Sequence, residues 1–180
     1  MKSTTSISDR VLNMQESATL KMAGLARALR AEGKNVINLS LGEPDFDTPE
    51  HIKEAAKKAL DDGFTKYTPV PGLPELRKAI SDKFKRDNNL AYSADQIVVS
   101  NGAKQSLANL SLSLLNPGDE VVILAPYWVS YYEIVKLSGA KPVIVTTDIS
   151  TNFKAKPKQL EAAITDKTRF ILFSSPCNPT

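Results

Sequence analysis

Residues 96–124 read QIVVSNGAKQSLANLSLSLLNPGDEVVIL, and this stretch decides the fold class. The apolar run Ile97–Val99 predicts a strand, Ala103–Leu115 predicts a helix, and Glu120–Leu124 predicts a second strand. The turn residues Asn116–Asp119 separate that helix from the strand that follows it. Two strands joined through a helix at this spacing indicate a right-handed crossover between parallel strands.

The same alternation continues to the last residue. The predicted elements are helix Trp128–Leu137, strand Val143–Thr146, helix Pro157–Ile164 and strand Arg169–Phe173. An α/β fold with a mostly parallel sheet and flanking helices is therefore expected. A parallel sheet is covered on both faces, and no helix follows the last strand. We therefore expect further chain beyond residue 180 to complete the layer.

The first half of the chain is more helical in its pattern. Apolar side chains recur at helical spacing in several segments, and prolines and glycines separate them. The predicted elements are helix Ser17–Glu32, strand Val36–Leu39, a helix capped by Thr48 that begins at Pro49 and runs to Asp61, a loop over Lys66–Pro74, and helix Leu73–Asn88.

Composition excludes several classes of protein. The 180 residues are 42% hydrophobic and 24% charged, and the net charge is +3 with acidic and basic residues interspersed, so neither a nucleic-acid nor a membrane-binding surface is expected. No apolar leader follows Met1, which favours a cytoplasmic protein. One cysteine, Cys177, and one histidine, His51, leave no set of metal ligands and no Ser-His-Asp or Cys-His arrangement for hydrolysis.

Three segments that follow predicted strands form a candidate site at one edge of the sheet. The turn Ser100–Lys104 brings a glycine and a helix N-terminus together, which suits a phosphate, although such turns are also common without a ligand. Trp128 could stack on a flat ring or pack in the core. Asn178 could donate from its amide or serve only as a turn residue beside proline.

Several longer motifs resemble those of class I aminotransferases that use pyridoxal 5'-phosphate, most closely the bacterial aspartate aminotransferase branch. They are LSLGEPDFDTP (39–49), KYTPVPGLPELR (66–77), SNGAKQSL (100–107), NPGDEV (116–121), APYWVSY (125–131) and SSPCNPT (174–180). The resemblance implies the N-terminal half of such an enzyme. Residues 1–48 would form the N-terminal helical arm and the start of the small domain, and residues 49–180 the first, incomplete part of the large domain with the pyridoxal-phosphate-dependent transferase fold.

The resemblance also implies which residues hold the cofactor. Gly102, Ala103 and Lys104 match the turn that cradles the phosphate, and Tyr67 matches a tyrosine that reaches the phosphate of a neighbouring subunit in a homodimer. Trp128 matches the residue stacked on the pyridine ring, and Asn178 matches the amide that hydrogen-bonds the ring hydroxyl. No metal is implied.

Substrate contacts are implied in the same way. Gly42 matches a glycine whose N–H meets the substrate α-carboxylate, while Trp128 and Asn178 lie beside the substrate as well as the cofactor. Lys104 is similar to a lysine that helps receive the distal carboxylate of an acidic substrate, and Thr19 lies where the N-terminal segment closes over it.

The resemblance implies amino-group transfer from L-aspartate, or a similar amino acid, to 2-oxoglutarate through a Schiff base of pyridoxal phosphate. The Schiff-base lysine of the family lies beyond residue 180, so no catalytic residue is assigned and residues 1–180 alone are expected to be inactive. The stretch Met14–Ser17 lacks the basic residue of several relatives, which puts prephenate as a substrate in doubt. The alternative is a sensing effector domain of a transcription regulator, since one fold serves many functions.

Overall fold

The computed structural model of the chain describes residues 7–39 and 42–177. The α-helices are α1 (Asp9–Leu12), α2 (Ala18–Ala31), α3 (Glu50–Asp61), α4 (Pro74–Asn88), α5 (Ala103–Leu114), α6 (Ser130–Leu137) and α7 (Pro157–Ala163). The strands are β1 (Glu120–Ala125), β2 (Lys141–Thr146) and β3 (Thr168–Leu172), and short 3-10 turns cover Ala94–Gln96 and Ile149–Thr151. Among the described residues, no helix combines the length and the apolar character that crossing a membrane requires.

The chain divides into two compact units. One, which we call the sheet unit, consists of residues 1–43 and 107–180, and the other, the helical unit, consists of residues 44–106. The assignment of residues 1–48 to a small domain and of residues 49–180 to a large domain stays a prediction.

Three parallel strands form the sheet of the sheet unit, in the order β2–β1–β3. The central strand carries Val121, Val122 and Ile123, which are fully buried, as expected for a strand covered on both faces. The chain crosses from β1 to β2 through α6 and returns past β1 to β3 through α7. Right-handed crossovers in these opposite directions put the two helices on opposite faces. The predicted α/β class with a parallel sheet and flanking helices is confirmed.

Helix α6 packs against β1 and β2 on one face of the sheet. Its buried residues Tyr131 and Val135 join Val121 and Ile123 of β1 in a single apolar cluster. Leu115, which follows α5, and Ala140, which precedes β2, are also buried members of this cluster. Burial of apolar area is the main stabilising contribution to such a layer.

The helical unit is held together by a loop that crosses close to an extended segment. The backbone N–H of Val99 donates to the Pro71 carbonyl at 2.9 Å, and Arg77 Nε donates to the Ile97 carbonyl at 3.0 Å. Gly72 makes this approach possible because its φ is +106° and a Cβ there would lie 2.7 Å from Val99 Cγ2. The predicted loop is confirmed over residues 66–73, and Pro74 is already the first residue of α4.

Two predicted strands do not form. Val36–Leu39 and Ile97–Val99 belong to no ladder among residues 7–39 and 42–177, although Ile97 has strand-like φ and ψ angles of −112° and 130°. Apolar, β-branched composition favours an extended backbone, but a strand also needs a neighbour to pair with. Ile37 and Leu39 are more than four-fifths exposed, so the neighbour that would bury them is absent from the described part of the chain.

Four helix starts also differ from the predictions, and of these α2 and α4 begin one residue later than predicted, at Ala18 and Pro74. Pro49, not Thr48, occupies the cap position of α3, and no side chain caps that helix. Helix α6 begins at Ser130, because residues 126–129 form a loop after β1. The four-residue helix α1 was not predicted, since its single turn is too short to show a period.

Candidate functional site

The loops that follow the three strands are fastened to one another at the carboxyl edge of the sheet. After β2, the backbone N–H and the hydroxyl of Thr147 both donate to the Ala125 carbonyl, at 3.1 and 2.6 Å. After β3, the thiol of Cys177 donates to the Pro126 carbonyl at 3.4 Å. The loop after β1 is therefore the centre of this edge, where parallel α/β sheets bind their ligands.

That central loop, Pro126–Val129, carries Trp128. The Trp128 ring meets Tyr131 edge to face, with centroids 5.7 Å apart and planes at 81°, and the Tyr131 N–H donates to the Trp128 carbonyl at 2.9 Å. Trp128 packs against the apolar cluster while remaining only half-buried. Core packing, one of the two interpretations of Trp128, therefore explains the buried part of its side chain. The other part of the side chain is exposed to solvent.

Two buried polar groups, one in the first turn of α6 and one in the loop after β3, were not predicted from the sequence. Glu133 Oε2 is buried and has no hydrogen-bond donor among the described residues, and the same holds for Ser174 Oγ in the loop after β3. Burial raises the pKa of the Tyr127 phenol, and the neighbouring Tyr132 and Glu133 raise it further. The sequence feature that could have indicated the burial of Glu133 is its position between Tyr131 and Ile134, which are both buried on a helix that covers the sheet.

The predicted phosphate turn lies in the helical unit at the start of α5. Gly102 has a φ of +80°, and its carbonyl accepts from the N–H groups of Gln105 and Ser106 at 3.2 and 3.4 Å. The Asn101 N–H donates to the Gln105 side-chain oxygen. A Cβ at Gly102 would meet nothing within 4 Å, so open space lies beside the turn. A glycine turn that leads into a helix N-terminus fits a phosphate group in its chemistry.

The other predicted residues are distributed as follows. Tyr67 is fully exposed in the loop that Pro71 ties to Val99, so it belongs to the same unit as Gly102, Ala103 and Lys104. Gly42 is exposed, and Thr19 is half-buried in the first turn of α2, where Ser17 Oγ accepts from the Leu20 N–H at 3.5 Å. Asn178 lies outside the described residues. The roles assigned to these residues stay predictions.

A family model for aminotransferase class I and II matches residues 34–180. The chain therefore belongs to the aminotransferase class I and II family, and the resemblance seen in its motifs is confirmed. It is 52% identical, over 97% of its length, to an aspartate/prephenate aminotransferase from Cereibacter sphaeroides, and it covers 44% of that relative. It is 51% identical, over 95% of its length, to an aspartate aminotransferase from Rhizobium meliloti, of which it covers 42%.

Solved structures agree with these relatives. The aspartate aminotransferase from Rhizobium meliloti superposes with a TM-score of 0.91 at 49% identity, over 98% of this chain and 44% of that one. The aspartate aminotransferase from Thermus thermophilus with maleate gives a TM-score of 0.93 at 46% identity, over 98% of this chain and 46% of that one. The chain thus spans less than half the length of these relatives. Since they are aminotransferases, they lend no support to the effector-domain alternative.

Proposed function

We propose that this chain is part of an aminotransferase that moves the amino group of L-aspartate, or a similar amino acid, to 2-oxoglutarate with pyridoxal 5'-phosphate. The observation that carries the proposal is the identity of about one half with aspartate and aspartate/prephenate aminotransferases over nearly the whole chain. A cytoplasmic homodimer with shared active sites is part of the same proposal.

In this proposal, residues 1–180 bind and orient the cofactor and the substrate. When bound, pyridoxal phosphate supplies the electron sink for a carbanion at the substrate Cα. The N–H groups at the start of α5, after Gly102, receive the phosphate, and the partly open ring of Trp128 supports the pyridine face. Asn178 donates from its amide to the ring hydroxyl. Tyr67, fully exposed on its loop, extends toward the phosphate held by a second subunit.

Substrate contacts complete the proposed role. The N–H of Gly42 meets the α-carboxylate, together with Trp128 and Asn178, while Lys104 attracts the distal carboxylate of a dicarboxylic acid. Thr19, in the first turn of α2, lies over the substrate when the N-terminal segment closes. No residue among 1–180 is proposed to move the proton at Cα. Residues 1–180 alone are therefore proposed to bind the cofactor and the substrate without transferring the amino group.

Cofactor binding can be tested on the chain itself, because Trp128 is its only tryptophan. Pyridoxine 5'-phosphate lacks the aldehyde that reacts with lysines, so its binding reports recognition alone. We expect it to change the Trp128 fluorescence at concentrations where pyridoxine has no effect, and Gly102→Pro to abolish the difference. Equal responses to the two compounds would contradict the assignment of the phosphate turn.

Activity is tested in the longest reading frame that contains these residues. With pyridoxal phosphate, L-aspartate and 2-oxoglutarate, that product is expected to form oxaloacetate and L-glutamate, whereas residues 1–180 form neither. Prephenate in place of 2-oxoglutarate as the amino-group acceptor is expected to react poorly because Met14–Ser17 carries no basic residue. A long product that holds the cofactor and transfers no amino group would refute the proposed function.

A further inference from the structure

Lys136 connects helix α6 to a residue near the start of the chain, within the sheet unit. Lys136 Nζ, in the last turn of α6, donates to the carbonyl oxygen of Asn13 at 3.0 Å. The two residues are 123 positions apart, so the bond crosses most of the chain. Residues 7–16, which we call the N-terminal segment, are thereby attached to the helix that covers β1 and β2.

The N-terminal segment depends on such an attachment. Its only helix, α1, has four residues and none of them is buried, whereas isolated helices need about 12–15 residues to persist in water. Asn13 is the C-terminal cap of α1, and its N–H bonds back to the Asp9 carbonyl. The Lys136 ammonium therefore sits at the C-terminal end of α1, where a positive charge is favourable.

The lysine is itself held in place. Its ammonium lies 5.5 Å from the centroid of the Tyr132 ring, one turn earlier on α6, which is within the range of a cation–π contact. Lysine side chains lose much rotamer freedom when they are fixed in one geometry. The ring therefore reduces the cost of presenting the ammonium to Asn13.

Helix α6 also holds the candidate ring-stacking residue at its other end. Tyr131, in its first turn, contacts Trp128 edge to face and donates a backbone hydrogen bond to it. The N-terminal segment leads, through Ser17, directly into the first turn of α2 with Thr19. One helix thus contacts both the loop of Trp128 and the segment that precedes Thr19.

We propose that Lys136 is a positioning residue that sets the N-terminal segment, and with it Thr19, at a fixed place relative to the Trp128 loop for closure over an amino-acid substrate. The substrate part rests on the proposed function, whereas the attachment does not. The Lys136 side chain touches no substrate in this scheme and acts through Asn13.

The attachment is tested by cleavage after Arg10, which lies in α1, with an arginine-specific protease. Loss of one hydrogen bond raises the open population about fivefold, so Lys136→Ala is expected to release the peptide 1–10 about five times faster. Lys136→Arg keeps a cationic donor and is expected to restore most of the protection. Lys158→Ala, on the exposed side of α7, is the matched control and is expected to cleave like the wild type.

The substrate part is tested in the longest reading frame that contains the chain. We expect Lys136→Ala to raise the KM for L-aspartate severalfold with little change in kcat, and Lys136→Arg to return it toward the wild-type value. Unchanged cleavage after Arg10 in Lys136→Ala would overturn the attachment. Faster cleavage with an unchanged KM would overturn the link to the substrate. A wild type without transfer would refute the proposed function and this link together, while the cleavage rates would still decide the attachment.

Discussion

Gly72 is the position where a backbone angle and a close contact both require glycine. Its φ of +106° is one that other residues rarely adopt, and a Cβ would lie 2.7 and 2.8 Å from two carbons of the Val99 side chain. Gly63 has a φ of +80° but nothing within 4 Å of the same virtual atom. Comparison of Gly72 with Gly63, which both lie in the helical unit, therefore separates the strain of a positive φ from the steric conflict with Val99.

Gly72→Ala is therefore expected to lower the free energy of unfolding by about 2–4 kcal/mol, from left-handed strain and overpacking together. Gly63→Ala carries the strain alone and is expected to cost about 1 kcal/mol. Urea denaturation followed by circular dichroism measures both. Equal losses in the two variants would mean that Val99 moves aside at no cost.

Glu120 is the buried carboxylate at the amino end of β1. It accepts from Lys141 Nζ at 3.0 Å and from the Thr165 hydroxyl at 2.8 Å. The bond from Lys141, and then that from Thr165, lower the pKa of the Glu120 carboxyl. A carboxyl whose pKa is lower in the folded state stabilises the fold above its ordinary pKa and loses that contribution as the pH falls.

Glu120→Gln is accordingly expected to be less stable than the wild type at pH 7. The difference should shrink as the pH falls from about 5 toward 3, because the wild-type carboxylate then becomes protonated. Thermal unfolding across this range measures it, with Glu161→Gln, exposed on α7, as the control. A difference that stays constant across the range would exclude the ionised carboxylate as its source.

At the scale of the element, α6 stabilises the sheet mainly through one face. Val135 is fully buried and belongs to the same apolar cluster as Tyr131 of α6 and Ile123 of β1. Close-packed interiors relax only partly around a missing group, so a cavity remains. A truncation on this face therefore tests the helix–sheet contact directly.

Val135→Ala is expected to lower the free energy of unfolding by roughly 2 kcal/mol. Val70→Ala, at an almost fully exposed loop position, is expected to change it by no more than about 0.5 kcal/mol. Chemical denaturation measures the free energy of unfolding of both variants. Comparable small effects would indicate that α6 contributes little to holding the sheet.

The elements that could be predicted from sequence are those with a local signal. Helices such as α2 and α4 follow from apolar spacing within the helix itself, and β1 to β3 follow from short apolar runs between turns. Val36–Leu39 and Ile97–Val99 carry the same signal but form no strand, because pairing depends on distant residues. Composition alone does not reveal whether a neighbour exists.

The residues of the candidate site likewise divide into those that a local sequence pattern predicts and those that only the folded chain reveals. Although Trp128 was predicted inside a helix and lies in the loop before it, its position after β1 and the Gly102 turn before α5 were predictable from local apolar runs. Glu133, Ser174 and the Lys136–Asn13 bond were not, since burial without a partner and contact across 123 residues are properties of the folded chain. A charged residue on a helix reads as solvated until the surface that the helix covers is known.

The molecule as a whole leaves much apolar surface open within the described residues. Phe46, Leu39 and Ile37 are more than four-fifths exposed, and Phe173, beside β3, is 59% exposed. Soluble monomers rarely leave large apolar patches uncovered. The relatives, which are more than twice as long, have further residues that can cover such a surface.

Residues 1–180 alone are expected to bind a hydrophobic dye such as anilinonaphthalene sulfonate and to self-associate at micromolar to millimolar concentration. Sedimentation velocity over a dilution series measures the association, and dye fluorescence measures the open surface. A monomer that binds no dye at any concentration would contradict the exposure of these side chains.

The central position of β1 also has consequences for synthesis on the ribosome. Strand β1 emerges first, and β2 can pair with it as soon as α6 has been made, whereas β3 must wait for α7. During that interval one edge of the most buried strand stays open to other nascent chains. Pauses in translation between β2 and β3 should therefore lower the yield of folded protein more than pauses after β3, and early chaperone contact should concentrate on residues 120–125.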